Sequence, residues 1–292
     1  MRFRKFIKVE PESIVKVREA VLAAHESDKE SFDDNDIKKM VSSDWTCFRF
    51  LAFVNGDVDG ATNALIDSLK WRKSKNFNSF TTHYPYPDLF FRMGTVFTYE
   101  PDKWGHQTLY VRVKYLRKIG ELKPLLSDLV DYILWKTDEA SGESGWILIM
   151  DFDGAGLVNA DIDTLSKMIS TLKTHFPCGL DFILVVDLPW ILKGFWALVK
   201  TWVGSSDSLI KFVSRKSISD YFEPSNVPDF MGGNCKLPYC GDHVVKSLGI
   251  SDKCPDLFSY CHDTLKLSDR RCSEIESIYQ PYLDQSVKKI IE

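Results

Sequence analysis

Features that would assign a chain to several common classes are missing from this 292-residue sequence. It has no uninterrupted run of about 20 apolar residues, the length that a bilayer-spanning helix needs. The start, MRFRKFIKVE, lacks the apolar core of a secretory signal, so we expect a cytosolic protein with at most peripheral membrane association. The net charge of −4 argues against a nucleic-acid partner.

The signatures of the commonest enzyme classes are absent as well. The sequence contains no GxSxG elbow, no HExxH pair and no GxxxxGK[ST] loop. Asp151 and Asp153 follow an apolar strand as a DxDG motif, which is typical of magnesium-dependent phosphatases with an aspartate nucleophile. The adjoining GAGLVN is a partial dinucleotide fingerprint in which Asn159 replaces the third glycine. A strand-to-helix turn explains both matches, so we expect no enzyme and keep the phosphatase as a third hypothesis.

The seven cysteines show no pairing pattern. An odd number in a chain without a secretory signal favours free thiols over disulfides. Five of them lie late in the chain, near two histidines, but their spacing matches no zinc finger or ribbon. We therefore predict no metal site and no cofactor other than a bound ligand.

What distinguishes the sequence is residues 181–204, DFILVVDLPWILKGFWALVKTWVG. An apolar strand passes through Pro189 into a helix whose hydrophilic residues, Lys193, Lys200 and Thr201, fall on one narrow stripe. Such a helix must be buried on nearly every side, or must separate a hydrophobic ligand from a membrane.

Basic residues are concentrated around and after this helix. Between Leu188 and Lys216 the sequence has five basic residues and a single acidic one, Asp207. A solvated basic face would explain this excess, and so would a surface that meets anionic lipid. On the second interpretation we predict that the following residues face the membrane: Lys193, Lys211, Arg215 and Lys216.

Hydrophobic periodicity divides the chain into three parts: a helical unit over 1–80, a central domain over 81–240 and a helical tail over 241–292. In the central domain, 94–100 and 108–116 predict a β-hairpin. Apolar strands at 146–152 and 181–187 alternate with helices, which indicates a mainly parallel sheet buried between helices. We also expect a short helix over 205–216 and an edge strand over 218–222.

Taken together, these segments resemble the Sec14-like lipid-binding proteins of the CRAL-TRIO class, from about residue 36 to residue 240. The helical unit of that family looks like FRFLAFVNGDVDGATNALIDSLKWR, and its core strand and gating helix are similar to HFPCGLDFILVVDLPWILKGFWALVKTWVG. The end of its domain resembles NVPDFMGGNCK. The resemblance implies an α/β fold in which helices packed on a mainly parallel sheet form a lipid-binding cavity, preceded by a small all-helical unit.

The resemblance also implies a site and a function. The gate and lipid-binding residues would be Trp190, Phe195, Trp196, Val199, Lys200 and Trp202. Lys200 matches the basic headgroup position of the family, whereas Cys178 replaces the acidic residue of its inositol-lipid-selective members. The implied function is to bind a lipid or similar hydrophobic molecule behind the gating helix and to transfer it between membranes through transient contact. The alternative is an interaction module that exchanges no lipid and recruits a protein partner through residues 241–292.

Overall fold

The computed structural model describes residues 8–79, 86–194, 196, 197, 199, 209–247 and 254–291. Its N-terminal part is a unit of four helices, as the sequence predicts. Asp33 and Ser43 begin the second and third helices by accepting hydrogen bonds from main-chain amides two residues ahead. The four helices are α1 (Pro11–Ser27), α2 (Asp34–Ser42), α3 (Asp44–Phe53) and α4 (Val58–Lys75).

A five-stranded sheet follows, with the strands in sequence order. The first two strands form the predicted antiparallel hairpin, and each later strand adds in parallel to the one before it. The strands are β1 (Val96–Tyr99), β2 (Gln107–Arg112), β3 (Trp146–Asp151), β4 (Leu180–Val186) and β5 (Ile210–Val213).

Both faces of the sheet are buried, because alternate residues of each strand enter two different cores. Leu148 and Met150 of β3 face the core that contains the larger helices, whereas Ile147 and Ile149 face the segment 218–240. The helices packed on the sheet are α5 (Leu89–Arg92), α6 (Lys123–Ser141) and α7 (Ile162–His175). This arrangement confirms the predicted α/β class.

The prediction for residues 205–222 is wrong where the structure describes it. Residues 210–213 form β5 instead of a helix, and Arg215–Asp220 is a 3-10 helix instead of an edge strand. The reason is that the edge of β4 needs a partner: the amide of Ile183 donates to the carbonyl of Leu209 at 2.7 Å. Residues 201–208 lie outside the described residues.

The described residues after 240 form helices, and their apolar side is part of the same core as the central helices. These helices are α8 (Asp242–Ser247), α9 (Leu257–Ser259), which continues as a π-helical turn (Tyr260–Thr264), and α10 (Asp269–Ile291). Cys261, Cys272 and Tyr279 are buried in the same core as α6 and α7. The ring of Tyr279 packs edge-on against Phe90 of α5 at 5.8 Å.

Candidate ligand cavity behind the gating helix

An apolar cavity of about 110 Å³ lies between the sheet and helices α6 and α7. One water occupies roughly 30 Å³ in the liquid, so this space is large enough for a segment of hydrocarbon chain. Apolar cavities of this size stay dry or take apolar ligands. The sheet contributes Val96, Leu109, Val111, Leu148 and Met150 to its wall, and the helices contribute Leu126, Leu129, Val130, Ile133, Leu134, Leu165 and Met168.

Two of the polar residues that line the cavity, Asn159 and Asp161, already have structural roles. The Asn159 side-chain oxygen accepts from the Gly156 amide at 2.9 Å, and its nitrogen donates to the carbonyls of Lys114 and Leu116 at 3.0 and 2.8 Å. Asp161 begins α7 by accepting from the Thr164 amide and hydroxyl. These groups fix the shape of the cavity rim rather than fill the cavity.

The gating helix supplies one wall residue that the sequence analysis missed, Leu192. The described part of the helix buries Leu192, Trp196 and Val199, which follow one another at i, i+4 and i+7 and so share a face. Trp196 is 2% exposed and packs against Phe152, itself a cavity residue, at 5.7 Å between ring centroids. The i, i+4, i+7 spacing was the available signal for Leu192.

The opposite side of the helix faces solvent. Trp190 is 79% exposed, and Ile191 and Lys193 are exposed beside it. Of the other predicted gate residues, Phe195, Lys200 and Trp202 lie outside the described residues.

The four basic residues predicted to face a membrane lie in different local surroundings. Lys193 and Lys216 are exposed, whereas the ammonium of Lys211 lies 4.3 Å from the ring centre of Phe182, on the sheet face opposite the cavity. Arg215 is held by carboxylates at the strand ends. Lys211 and Arg215 therefore have intramolecular roles, which a reading of charge along the sequence could not reveal.

Asp151, the nucleophile of the phosphatase hypothesis, is one of these carboxylates. It is buried, lies 2.8 Å from a guanidinium nitrogen of Arg215, and its pKa is raised by burial. Asp153 is exposed and lies 3.7 Å from the same guanidinium. In the described ranges no group of three or more metal-ligating side chains occurs. The geometry thus gives Asp151 a structural role as the partner of Arg215.

All seven cysteines are thiols rather than half-cystines. Burial raises the pKa of the Cys261 thiol to about 11, so this side chain is an apolar group of the tail's core at neutral pH. Among the helices of the described residues, none has the length and apolar character needed to cross a membrane.

Comparison with known proteins finds one family whose domain matches part of this chain. The CRAL/TRIO domain matches residues 91–233. Protein real-time of Anopheles gambiae is 26% identical over 226 residues, which cover 67% of this chain and 32% of that protein. A CRAL-TRIO domain-containing protein of Caenorhabditis elegans is 25% identical over 246 residues, covering 72% of this chain and 33% of its own length. The chain therefore spans about a third of the length of these two relatives.

The fold has a counterpart among solved structures. The crystal structure of Sfh5 superimposes with a TM-score of 0.59, at 12% identity, over 83% of this chain and 98% of that one. The four-helix unit, the sheet and the covering helices are thus a known arrangement. Residues 91–233 of this chain thus match a CRAL/TRIO domain, and the fold is similar to that of Sfh5.

Proposed function

We propose that the protein binds a lipid in the cavity between the sheet and helices α6 and α7, and transfers or presents it between membranes. The observation that carries the proposal is the apolar cavity with Leu192 of the gating helix on its wall. The domain is typically a lipid-binding module, which supports the same conclusion.

The energy that such a cavity saves is large. Transfer of a hydrocarbon chain out of water is worth about 0.8 kcal/mol per methylene, or on the order of 10 kcal/mol for a chain of about 14 carbons. A lipid therefore leaves a bilayer slowly on its own. A protein that shelters the chain removes most of this barrier.

The contacts that hold the gating helix closed are of a kind that a membrane can replace. Trp196 packs between the rings of Phe152 and Phe212, each at 5.7 Å. A bilayer can replace apolar contacts of this kind, whereas it cannot replace a buried ion pair. We propose that Trp190, Phe195 and Trp202 meet the membrane when the gate opens, and that Lys200 lies near a lipid headgroup.

Finer assignments belong to the same proposal. Residues 94–115 and 187–204 resemble the lipid-binding part of motile sperm domain-containing protein 2, although the relatives found by comparison are Protein real-time and a CRAL-TRIO domain-containing protein. We propose a cytoplasmic protein that associates peripherally with membranes. The adaptor alternative assigns a protein partner to the exposed side of residues 241–292.

Identification of the cargo tests the function directly. The protein is purified from cells, its lipid is extracted and identified by mass spectrometry, and transfer of a fluorescent phospholipid between vesicles is measured. Val111→Trp fills the cavity from the sheet, so co-purified lipid and transfer should both fall sharply. Val41→Trp, at an exposed position of α2, should change neither.

Two results would oppose the proposal. An empty wild-type protein that takes up no lipid from vesicles would favour the adaptor alternative. A correctly folded Val111→Trp protein that carries and transfers the usual amount of lipid would remove the cavity from the mechanism.

A further inference from the structure

We propose that the protein also touches the membrane through the apolar loop formed by residues 157–162, and that this loop and the gating helix dock together on an anionic bilayer. The inference rests on the proposed function, because it identifies the surface through which a lipid carrier would reach its membrane.

The apolar loop exposes several aliphatic side chains next to one another, which is unusual for a surface loop. Leu157 and Val158 are 62% and 53% exposed, and Ile162 is exposed beside them. Single exposed apolar residues are normal on a soluble protein, but a cluster marks an interaction site.

This exposure is built into the fold. The amide of Asn159 uses its oxygen and its nitrogen to tie the loop to Gly156, Lys114 and Leu116. The backbone amide of Lys118 also donates to the Val158 carbonyl at 2.9 Å. The buried Asn159 thus holds the loop from beneath while the two residues before it point outward. A loop fixed in this way presents its apolar tip without first losing conformational entropy on binding.

The apolar loop and the gating helix lie at the same edge of the sheet. The loop follows β3, the gating helix follows β4, and these neighbouring strands are parallel, so their carboxyl ends meet at one edge. Both segments also border one cavity, since Ala160 and Leu192 line it together. A flat surface that touches Leu157 and Trp190 would therefore lie against the cavity rim.

The charges beside these two segments favour anionic lipid as the occupant. Lys118 and Lys193 are exposed, and neither has a carboxylate within ion-pair distance in the part of the chain that the structure describes. The nearby acids are engaged: Asp161 caps α7 and Asp163 pairs with Lys123. Exposed aliphatic and tryptophan side chains flanked by exposed lysines are typical of a membrane-surface site.

Vesicle flotation tests the apolar loop. The double variant Leu157→Asp/Val158→Asp should bind mixed phosphatidylcholine–phosphatidylserine vesicles about tenfold or more weakly than the wild type, because it removes two apolar groups and adds two negative charges. The matched control is Phe53→Asp, which changes an exposed apolar residue at the end of α3 and should leave binding unchanged. Pure phosphatidylcholine vesicles should bind the wild type more weakly than the mixed vesicles.

A second variant reports contact between the apolar loop and the membrane without depending on a loss of vesicle binding. Leu157→Trp keeps the apolar character, so it should retain binding. Because the wild type already contains eight tryptophans, including Trp190, the measure is the difference: the blue shift on mixed vesicles should be larger in Leu157→Trp than in the wild type. An equal shift in the two bound proteins would overturn the proposal. So would wild-type-like binding by the double variant, an equal loss in Phe53→Asp, or a wild type that binds no vesicles, which would leave the loop to a protein partner.

The lipid content of the same proteins separates this inference from the proposed function. Neither Leu157 nor Val158 is a wall residue of the cavity, so the double variant should co-purify with as much lipid as the wild type. Normal vesicle binding by an empty protein would contradict the carrier function and leave the docking surface standing. If the wild type carries lipid and the double variant binds vesicles normally, the carrier function would stand and the docking surface would be contradicted.

Discussion

Arg49 of α3 and Asp138 of α6 form a buried bidentate ion pair, with nitrogen–oxygen distances of 2.6 and 2.9 Å. The third nitrogen of the guanidinium donates to the carbonyl of Pro177 at 2.6 Å. This one side chain therefore joins the N-terminal helical unit to the helix that lines the cavity and to the turn that precedes β4. The cavity wall depends on a residue outside the CRAL/TRIO match.

Removal of Arg49 should be strongly destabilising. Arg49→Leu leaves the Asp138 carboxylate buried without its partner, which costs about 3–5 kcal/mol of the free energy of unfolding. Urea denaturation measures this loss. Arg18→Leu breaks the exposed pair with Asp44, which contributes only about 0–1 kcal/mol. Equal effects of the two substitutions would show that the buried pair has no special role.

Gly179 should not tolerate a methyl group, because a Cβ there would lie 2.1 Å from a carboxylate oxygen of Asp138. Gly179→Ala should therefore displace the ion pair and lower the free energy of unfolding by about 1–3 kcal/mol or more. Gly120→Ala is the control, since a Cβ at that position meets no atom within 4 Å. A thermal melt of Gly179→Ala that matches the control would contradict the close approach.

Loss of the proton from His106 should make the protein less stable at alkaline pH. Its ring nitrogens lie 2.7 Å from Asp102 and 3.0 Å from Asp181, and hydrogen bonds to these carboxylates raise its pKa to about 9. Since the unfolded value is about 6.5, the stabilisation is complete below pH 6.5 and is lost as the pH rises through 9. Urea midpoints should fall over this interval, and His106→Gln should flatten the fall. A titration of the ring by NMR near pH 6.5 would contradict the expected charge state.

His175 should make the stability of the protein fall at acidic pH instead. Its ring stacks on Trp71 at 3.9 Å, and burial lowers its pKa to about 4. The native state therefore resists protonation that the unfolded chain accepts at about pH 6.5, so stability should fall as the pH drops from 6.5 to 4. His175→Phe keeps the stacking and should reduce this acid sensitivity. An unchanged pH profile of the urea midpoint in that variant would assign the loss to other groups.

The parts of the fold that sequence predicted are those set by local patterns. The hairpin, β3 and β4 follow from alternation or continuous apolar character, because side chains on a strand alternate between faces whatever lies above them. The strand β5 was missed because its four residues owe their conformation to the free edge of β4, which the sequence does not display. The Arg49–Asp138 pair joins positions 89 residues apart and left no local signal.

The candidate site, like the fold, was predictable only where a local sequence pattern marks it. The apolar surface of the gating helix identified the element, but only the packing of Trp196 on Phe152 shows which side faces inward. From sequence alone, Asn159 was interpreted as the residue that replaces the third glycine of a partial dinucleotide fingerprint, within a strand-to-helix turn. Its amide instead satisfies two carbonyls more than 40 residues earlier in the chain, a role set by tertiary structure alone.

Trp190, the exposed tryptophan of the gating helix, should be needed for lipid transfer to membranes but not for lipid binding. Trp190 is 79% exposed, so Trp190→Ala should leave the free energy of unfolding and the amount of bound lipid unchanged. Because tryptophan favours the headgroup boundary, its loss should weaken vesicle binding and slow lipid transfer several-fold. Fluorescent-lipid transfer and vesicle flotation on the same preparations measure both effects.

Trp104 provides the matched control for that substitution. It is also exposed, but it precedes β2, which runs parallel to β3, so it lies at the opposite edge of the sheet from the gating helix. A protein that meets membranes with the gated edge should transfer lipid normally after Trp104→Ala. If both tryptophan substitutions slow transfer equally, the membrane does not distinguish the two edges, and the proposed orientation of the domain is wrong.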